Sequence, residues 1–354
     1  VIYENSIFDI DLSLLLNNST IPLNITGSIP FNRDEALDLK LIGNGKFLEL
    51  IDILSDDYFT FKKGDVNLKL IIKGSINKPI ANGFVIIKDS EVDIYRTTIK
   101  DINSTIIFDF DNIEIIKFQA FSEDSVGNIT INGILPFYDN KNSLDVKDIF
   151  LKASNFNIKS NNFQFLVDSN IKISGSFEKP FLGGNLALNN GYINFDNSNK
   201  KNIKKSNVKD KNNKKNWPEL YWAKDKDIEI ISNESILNEF LLSTNSPTFL
   251  ENLNFKNLIL KLGPNFRLQY SDIIRANLDT KLDLVLNGKI RKDLQARGLI
   301  NLSRGRANLY TTPFNLDRNK ENYILFAPRS GIVPFISFYL ISKVPDSIIP
   351  IKEN

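Results

Sequence analysis

The chain has 354 residues, and its 44 Lys and Arg against 42 Asp and Glu leave a net charge of +2, which points to no particular acidic partner. Histidine and cysteine are both absent, which removes the commonest general base, the commonest metal ligand and every thiol or disulfide. No run of about 18 apolar residues could span a bilayer as a helix, and no signal peptide is visible. Methionine is absent too, so the sequence reads as an internal or processed piece whose anchor or address lies elsewhere.

Taken in order, the chain is a succession of strand patterns. Residues 21–31, IPLNITGSIPF, are a short strand with Gly27 and a closing Pro30, and 129–137, ITINGILPF, repeat it. Between them, Leu68, Leu70 and Ile72 alternate with polar neighbours, the period of a strand with one buried face, and lead to Gly74, Pro79 and Gly83. Val85 and Ile87 continue the pattern. Ile106, Phe108 and Phe110 alternate again. Ile171 and Ile173 lead to Gly175, Pro180 and Gly184 at the same offsets as in the first copy, and Leu186 and Leu188 follow. A third, looser copy is the stretch from Lys281 to Tyr310. There Leu282, Leu284 and Leu286 run into Gly288, and Gly298 introduces Ile300 and Leu302. Its glycines read as turns, which gives three strands for the stretch, since glycine tolerates positive φ where strands reverse or bend. Helix signals are scarce, the best being Ser235 to Leu242.

One segment differs. Residues 196–226 hold ten lysines, many asparagines and few aliphatics. Too little apolar surface is available to offset the entropy of ordering them, so a mobile insertion is expected. Lys200, Lys201, Lys204 and Lys205 are candidate contacts for anionic lipid headgroups, with Trp217, Tyr221 and Trp222 nearby. The arginine and aromatic platform of nucleic-acid binders is missing, so no nucleic acid is expected. The chain divides into an irregular β-repeat region (1–195), this insertion (196–226) and a C-terminal β-domain (227–354).

No catalytic constellation, metal site or cofactor motif survives inspection. Asp109, Asp111 and Glu114 fit a solvated strand face, and Leu182-Gly183-Gly184 precedes a strand where a phosphate loop needs a helix. Arg304-Gly305-Arg306 could bind an anion but sits at an expected turn. What remains is an apolar face with no helices to cover it. The candidates lining it are Leu68, Leu70, Ile72, Val85, Ile87, Ile171, Ile173, Leu186, Leu188, Leu282, Leu284, Leu286, Ile300 and Leu302. Such a sheet must fold on itself, pack on a partner or hold an apolar ligand. The readings are a lipid-bearing trough, an extracellular β-solenoid adhesin with a dry core, and a carboxylate-based polysaccharide-cleaving β-helix.

The last third carries a resemblance. Leu258-x-Leu260-x-Leu262-Gly263 precedes Asn265-Phe266-Arg267-Leu268, then Ala276-x-Leu278 and Leu284-x-Leu286-x-Gly288. Gly298-x-Ile300-x-Leu302-x-x-Gly305, Tyr310-x-x-x-Phe314-x-Leu316, Phe326 and Pro334-Phe335-Ile336 follow in the same order as in the C-terminal domain of the TamB family. Gly331-Ile332-Val333-Pro334 resembles its cyanobacterial and chloroplast-envelope branch. The resemblance implies an all-β fold, an elongated curled sheet or β-taco with an apolar groove and very little helix. It implies a non-enzymatic envelope protein that bridges two membranes and acts in lipid transfer, outer-membrane protein assembly or secretion. Phospholipid or another acyl-chain ligand, and an outer-membrane β-barrel protein of TamA or BamA type, are the implied partners. The implied location is the periplasm, anchored to the inner membrane through sequence outside this chain, or the chloroplast envelope.

Overall fold

The structure, a computed structural model, describes residues 7–14, 21–31, 35–49, 59–94, 96–138, 148–194, 253–270, 273–290, 292–309 and 312–342. Strand accounts for 79% of them. The longest helical piece among them is a 3-10 turn at Pro328–Ser330. The all-β expectation holds.

The chain opens with β1 (Ile7–Leu14), β2 (Ile21–Pro30), β3 (Ala36–Gly45) and β4 (Phe59–Ser75). Next come β5 (Lys78–Ile94), β6 (Thr97–Phe110), β7 (Asn112–Ser122) and β8 (Asn128–Pro136). With β9 (Ile149–Lys159), β10 (Phe163–Gly175) and β11 (Pro180–Asn194) they form an antiparallel meander, each strand pairing with the next. A second block starts with β12 (Asn254–Leu262) and β13 (Phe266–Tyr270), set end to end. Both pair in parallel with β11 and antiparallel with β14 (Ile274–Lys289). Beyond β14 lies β15 (Gln295–Leu309), which pairs with β16 (Thr312–Leu316) and β17 (Tyr323–Phe326). The short β18 (Phe335–Ser337) and β19 (Leu340–Ile341) finish the sheet. The nineteen strands among the described residues belong to one curled, mostly antiparallel sheet.

The repeated glycine and proline turn out to be a hairpin device. Gly74 pairs with Pro79, one position inside the ends of β4 and β5, and Gly175 pairs with Pro180, the last and first positions of β10 and β11. Each glycine has φ near +90°, which lets the outgoing strand swing into its turn, and each proline stands within the first two residues of the return strand. The second glycine of the repeat departs from the expected turn. Gly83 and Gly184 lie inside β5 and β11, opposite Leu70 and Ile171, where an added Cβ would strike the carbonyls of Lys69 and Asn170. Gly298 and Gly305 likewise sit within an unbroken β15. The stretch after Lys281 is therefore two long strands where glycine spacing suggested three.

Curling follows from bulges that fall at neighbouring places on successive strands. The register slips around Lys63 on β4, around Ser90 on β5, between Lys100 and Asn103 on β6, and between Val167 and Ser169 on β10. It slips again between Gln164 and Leu166, and between Thr280 and Val285 on β14. A bulge bends its strand and increases local twist, so bulges in file bend the whole sheet. Asp89, Asp101, Asn155 and Asn190 occupy these places with φ between 44° and 49°, a region that Asn and Asp enter more readily than other side chains.

The amide that a bulge leaves outside the ladder is satisfied by a side chain on the next strand. The Asp89 N–H donates to Asn103 Oδ1 at 3.2 Å, and Asn155 N–H to Asp168 Oδ1 at 2.8 Å. Asn257 N–H donates to Asn287 Oδ1 at 2.8 Å, and at the β6–β7 turn, where there is no bulge, Phe110 N–H donates to Asn82 Oδ1 at 3.3 Å. Part of the chain's asparagine content thus has a backbone role. Asp168 also accepts from Asn189 Nδ2 at 2.7 Å. Asp168→Ala is expected to lower stability by about 1–3 kcal/mol, read as a shift in the urea midpoint. An unchanged midpoint would mean that water replaces the carboxylate at no cost.

One end of the meander holds an ionic cluster. Lys62 Nζ lies 2.9 Å from Asp93 Oδ1, and Thr98 Oγ1 donates to the same oxygen at 2.7 Å. Lys159 pairs with Glu123 close by. Burial pushes the Asp93 carboxyl up, but the Thr98 hydroxyl and Lys62 outweigh it and hold it below the usual range; Lys159 does the same for Glu123. Depressed carboxylates add stability above their unfolded value of about 4, and the gain is lost as pH falls through the folded value. The urea midpoint is expected to fall below about pH 4, and Lys62→Gln should flatten that fall. An identical acid profile in the variant would assign the loss to other groups.

Candidate functional site

Cross-strand register builds the candidate site directly. Residues opposed in a ladder share a face, so partners can be followed from strand to strand. One row runs Gly43, Leu68, Val85, Ile106, Ile115, Gly133, Ile149, Ile173, Leu182, Phe255 and Gly288, from β3 to β14. The row beside it runs Val66, Ile87, Ser104, Phe118, Ile131, Leu151, Ile171, Gly184, Leu258, Leu286 and Ala296. Ser104 is the single hydroxyl in either row. Each row crosses eleven strands, ten spacings of about 4.8 Å, or about 48 Å that is apolar apart from Ser104.

The candidate residues fall on this inner face with one exception. Leu70 and Ile72 sit there beside Leu68, while Leu186, Leu188, Ile300 and Leu302 join through Leu260, Leu262, Thr280 and Leu278. Leu284 is opposite Leu260. Leu282 is not among them. The double slip in β14 turns it to the outer face, opposite Leu299, and it is 61% exposed. No sequence period could show an inserted residue. Lys200, Lys201, Lys204 and Lys205, the rest of 196–226 and the Ser235–Leu242 helix lie outside the described residues.

The inner face is not uniformly covered. On β4 and β5, Leu68, Leu70, Ile72, Val85 and Ile87 are only half-buried, although a small core of Leu23, Phe47 and Val66 adjoins them. At the other end Leu262, Phe266, Ala276, Leu278 and Ile300 form a tight cluster, packed by Phe165, Leu188, Ile324 and Phe326. The Phe165 and Phe266 rings stand 6.2 Å apart. Leu284 and Ile300, both 7% exposed, therefore belong to packed core, whereas the residues on β4 and β5 line a partly open trough.

The outer face mixes charges with apolar residues such as Phe84, Ile107 and Ile134. Lys73 pairs with Asp38, Lys172 with Asp148 and Lys261 with Asp283. Ile106, Ile115, Ile131, Ile149, Leu151 and Phe118 lie in the two rows as well. Their alternation was visible, but only the ladder shows that they join the others. Among the described residues no group of three or more acidic, histidine or cysteine side chains could hold a metal ion, and no helix is long and apolar enough to cross a membrane.

A single curled sheet with a continuous apolar inner face defines a class, the β-taco protein. The chain belongs to the TamB family: the TamB C-terminal domain matches residues 118–354. It is 22% identical over 312 residues to Protein TIC236, chloroplastic, of Arabidopsis thaliana, covering 81% of this chain and 14% of that protein. It is 23% identical over 318 residues to Protein SUBSTANDARD STARCH GRAIN 4, chloroplastic, of Oryza sativa subsp. japonica, covering 84% of this chain and 14% of that protein. The chain thus spans about a seventh of the length of these relatives. No solved structure matches it.

Proposed function

We propose that this chain is the groove-bearing part of a non-enzymatic envelope protein, and that its inner face carries acyl chains across the aqueous gap between two membranes. The observation that carries this reading is the pair of apolar rows, about 48 Å long, that no helix covers among the described residues. Each methylene taken out of water gains about 0.8 kcal/mol, so a whole acyl chain gains on the order of 10 kcal/mol in such a trough. Along β4 and β5, where the face is only half-buried, an acyl chain can lie shielded from water. No catalytic group is required.

TamB membership supports a role in membrane-protein assembly in the envelope, and the chloroplastic relatives support the plastid envelope as the location. An anchor in one membrane and a β-barrel assembly protein of TamA or BamA type in the other complete the proposal. Native mass spectrometry of the purified chain tests it. Bound phospholipid at near-stoichiometric amounts is expected. A chain that stays lipid-free after incubation with vesicles would sink the lipid reading and leave assembly of membrane proteins as the role.

A further inference from the structure

One long rim of the meander is apolar where turns are ordinarily polar. The hairpin tips of β2–β3, β4–β5, β6–β7 and β10–β11 lie along it, and each carries an exposed large apolar side chain, Phe31, Ile76, Phe110 and Phe177. Phe31 is 71% exposed and Phe110 58%. Ile7 and Phe8, at the start of β1, join the same rim opposite Pro30 and Ile29 and are exposed too. From the first tip to the last is eight strand spacings, about 38 Å along the sheet. The opposite rim is built differently. It holds the ion pairs of Lys62 with Asp93 and of Lys159 with Glu123, with Ile94 and Val126 as exposed apolar side chains.

Phe110 holds φ at +52°, a conformation that is strained for a bulky side chain and that Asn, Asp or Gly adopts more readily. Its ring is mostly in water, so packing within the chain does not account for an aromatic residue there. The rim is continuous with the trough. Phe177 lies 6.4 Å from Phe137, and Phe137 stacks on Phe108 at 6.2 Å, ring centre to ring centre. Phe108 is opposite Gly83, which is opposite Leu70 on the half-buried inner face. Within one residue of the β4–β5, β6–β7 and β10–β11 turns the charges are Lys78, Asp111, Glu178 and Lys179, two of each sign. Polar residues separate the apolar tips: Ser75 and Asn77 flank Ile76, Asp109 and Asp111 flank Phe110, and Ser176 and Glu178 flank Phe177. A folded protein partner needs a contiguous patch of about 800 Å2. Isolated apolar points about 10 Å or more apart, on a rim whose charges cancel, suit instead the fluid interfacial layer of a bilayer, which closes around each one.

We propose that this rim is the edge on which the trough rests on a bilayer, its hairpin tips in the interfacial layer, so that acyl chains enter sideways across it. The sideways entry rests on the acyl-carrier reading; the membrane contact does not. The test is co-sedimentation of the whole chain with phosphatidylcholine vesicles, with lipid uptake measured on the same samples. Binding is expected without anionic lipid and should change little between low and high salt, because the charges at the tips cancel. Phe31→Ser with Phe110→Asn should weaken it at least about ten-fold. The urea midpoint of that variant should stay level or rise, because Asn accepts the positive φ at residue 110. Ile94→Ser with Val126→Ser removes exposed apolar side chains from the opposite rim and should weaken binding less than about two-fold. The Phe31, Phe110 variant should take up lipid more slowly from vesicles but at the wild-type rate from detergent-dispersed phospholipid. Undiminished vesicle binding by that variant, an equal loss in the opposite-rim variant, or binding that requires anionic lipid would overturn the docking edge. Equal slowing from vesicles and from detergent would overturn sideways entry. Self-association lost in the Phe31, Phe110 variant, with no vesicle binding by the wild-type chain, would reassign the rim to a second copy of this chain. Vesicle binding through these tips with lipid uptake from neither source would sink the carrier reading alone and leave the docking edge supported.

Discussion

Phe266→Ala is expected to cost about 3–5 kcal/mol, enough to unfold the C-terminal block under conditions where the wild-type chain is folded. Phe266 is 2% exposed and stands in the middle of the cluster formed by Leu262, Ala276, Leu278 and Ile300. Its neighbours are held by ladders on both sides: β13 pairs with β11 and with β14. The surrounding backbone therefore cannot close over the lost ring, and the cavity term adds to the transfer term. Hydrogen exchange should show β12 to β15 losing protection before β4 to β6, because the two regions bury different clusters. A loss spread evenly over all strands would show instead that the sheet unfolds as one unit. A loss below about 1 kcal/mol would mean that Phe266 is not the keystone of that end.

Alternation made the strands and their apolar face legible in the sequence, because a period of two survives wherever a strand is regular. Hairpins were half legible. Gly74 and Pro79, like Gly175 and Pro180, mark true strand ends, yet Gly83, Gly184, Gly298 and Gly305 carry the same residue type for a different reason. Gly83 and Gly184 spare a collision with a neighbouring strand, which only the sheet reveals. The bulges could not be read at all. An inserted residue changes the face of everything beyond it, as Leu282 shows, while the local sequence still alternates. Their partners Asn103, Asp168 and Asn287 looked like ordinary polar positions on an exposed face. Continuity of the two apolar rows was likewise hidden, since it depends on the register of ten successive pairings.

The trough itself is tested by moving one charge to two places on the inner face. Leu70→Arg puts a guanidinium where the face is half-buried and where Gly83, without a side chain, is the neighbour on β5. The long stem can lie along the apolar surface while the charged head reaches water, so the fold is expected to survive with a loss below about 2 kcal/mol. A charge in the path disfavours an acyl chain there, and bound phospholipid should drop at least about ten-fold, the equivalent of about 1.4 kcal/mol. Leu284→Arg puts the same group at a position that is 7% exposed and opposite Leu260 in the packed end. No route to water is open, and the cost of several kcal/mol should unfold the block. Circular dichroism, urea midpoints and bound lipid are measured on both variants. The conduit is supported by a folded, lipid-poor Leu70→Arg chain beside an unfolded Leu284→Arg chain. Unfolding of both would mean that the trough is a closed core throughout. A folded Leu70→Arg chain that keeps its lipid would show that acyl chains do not travel along β4.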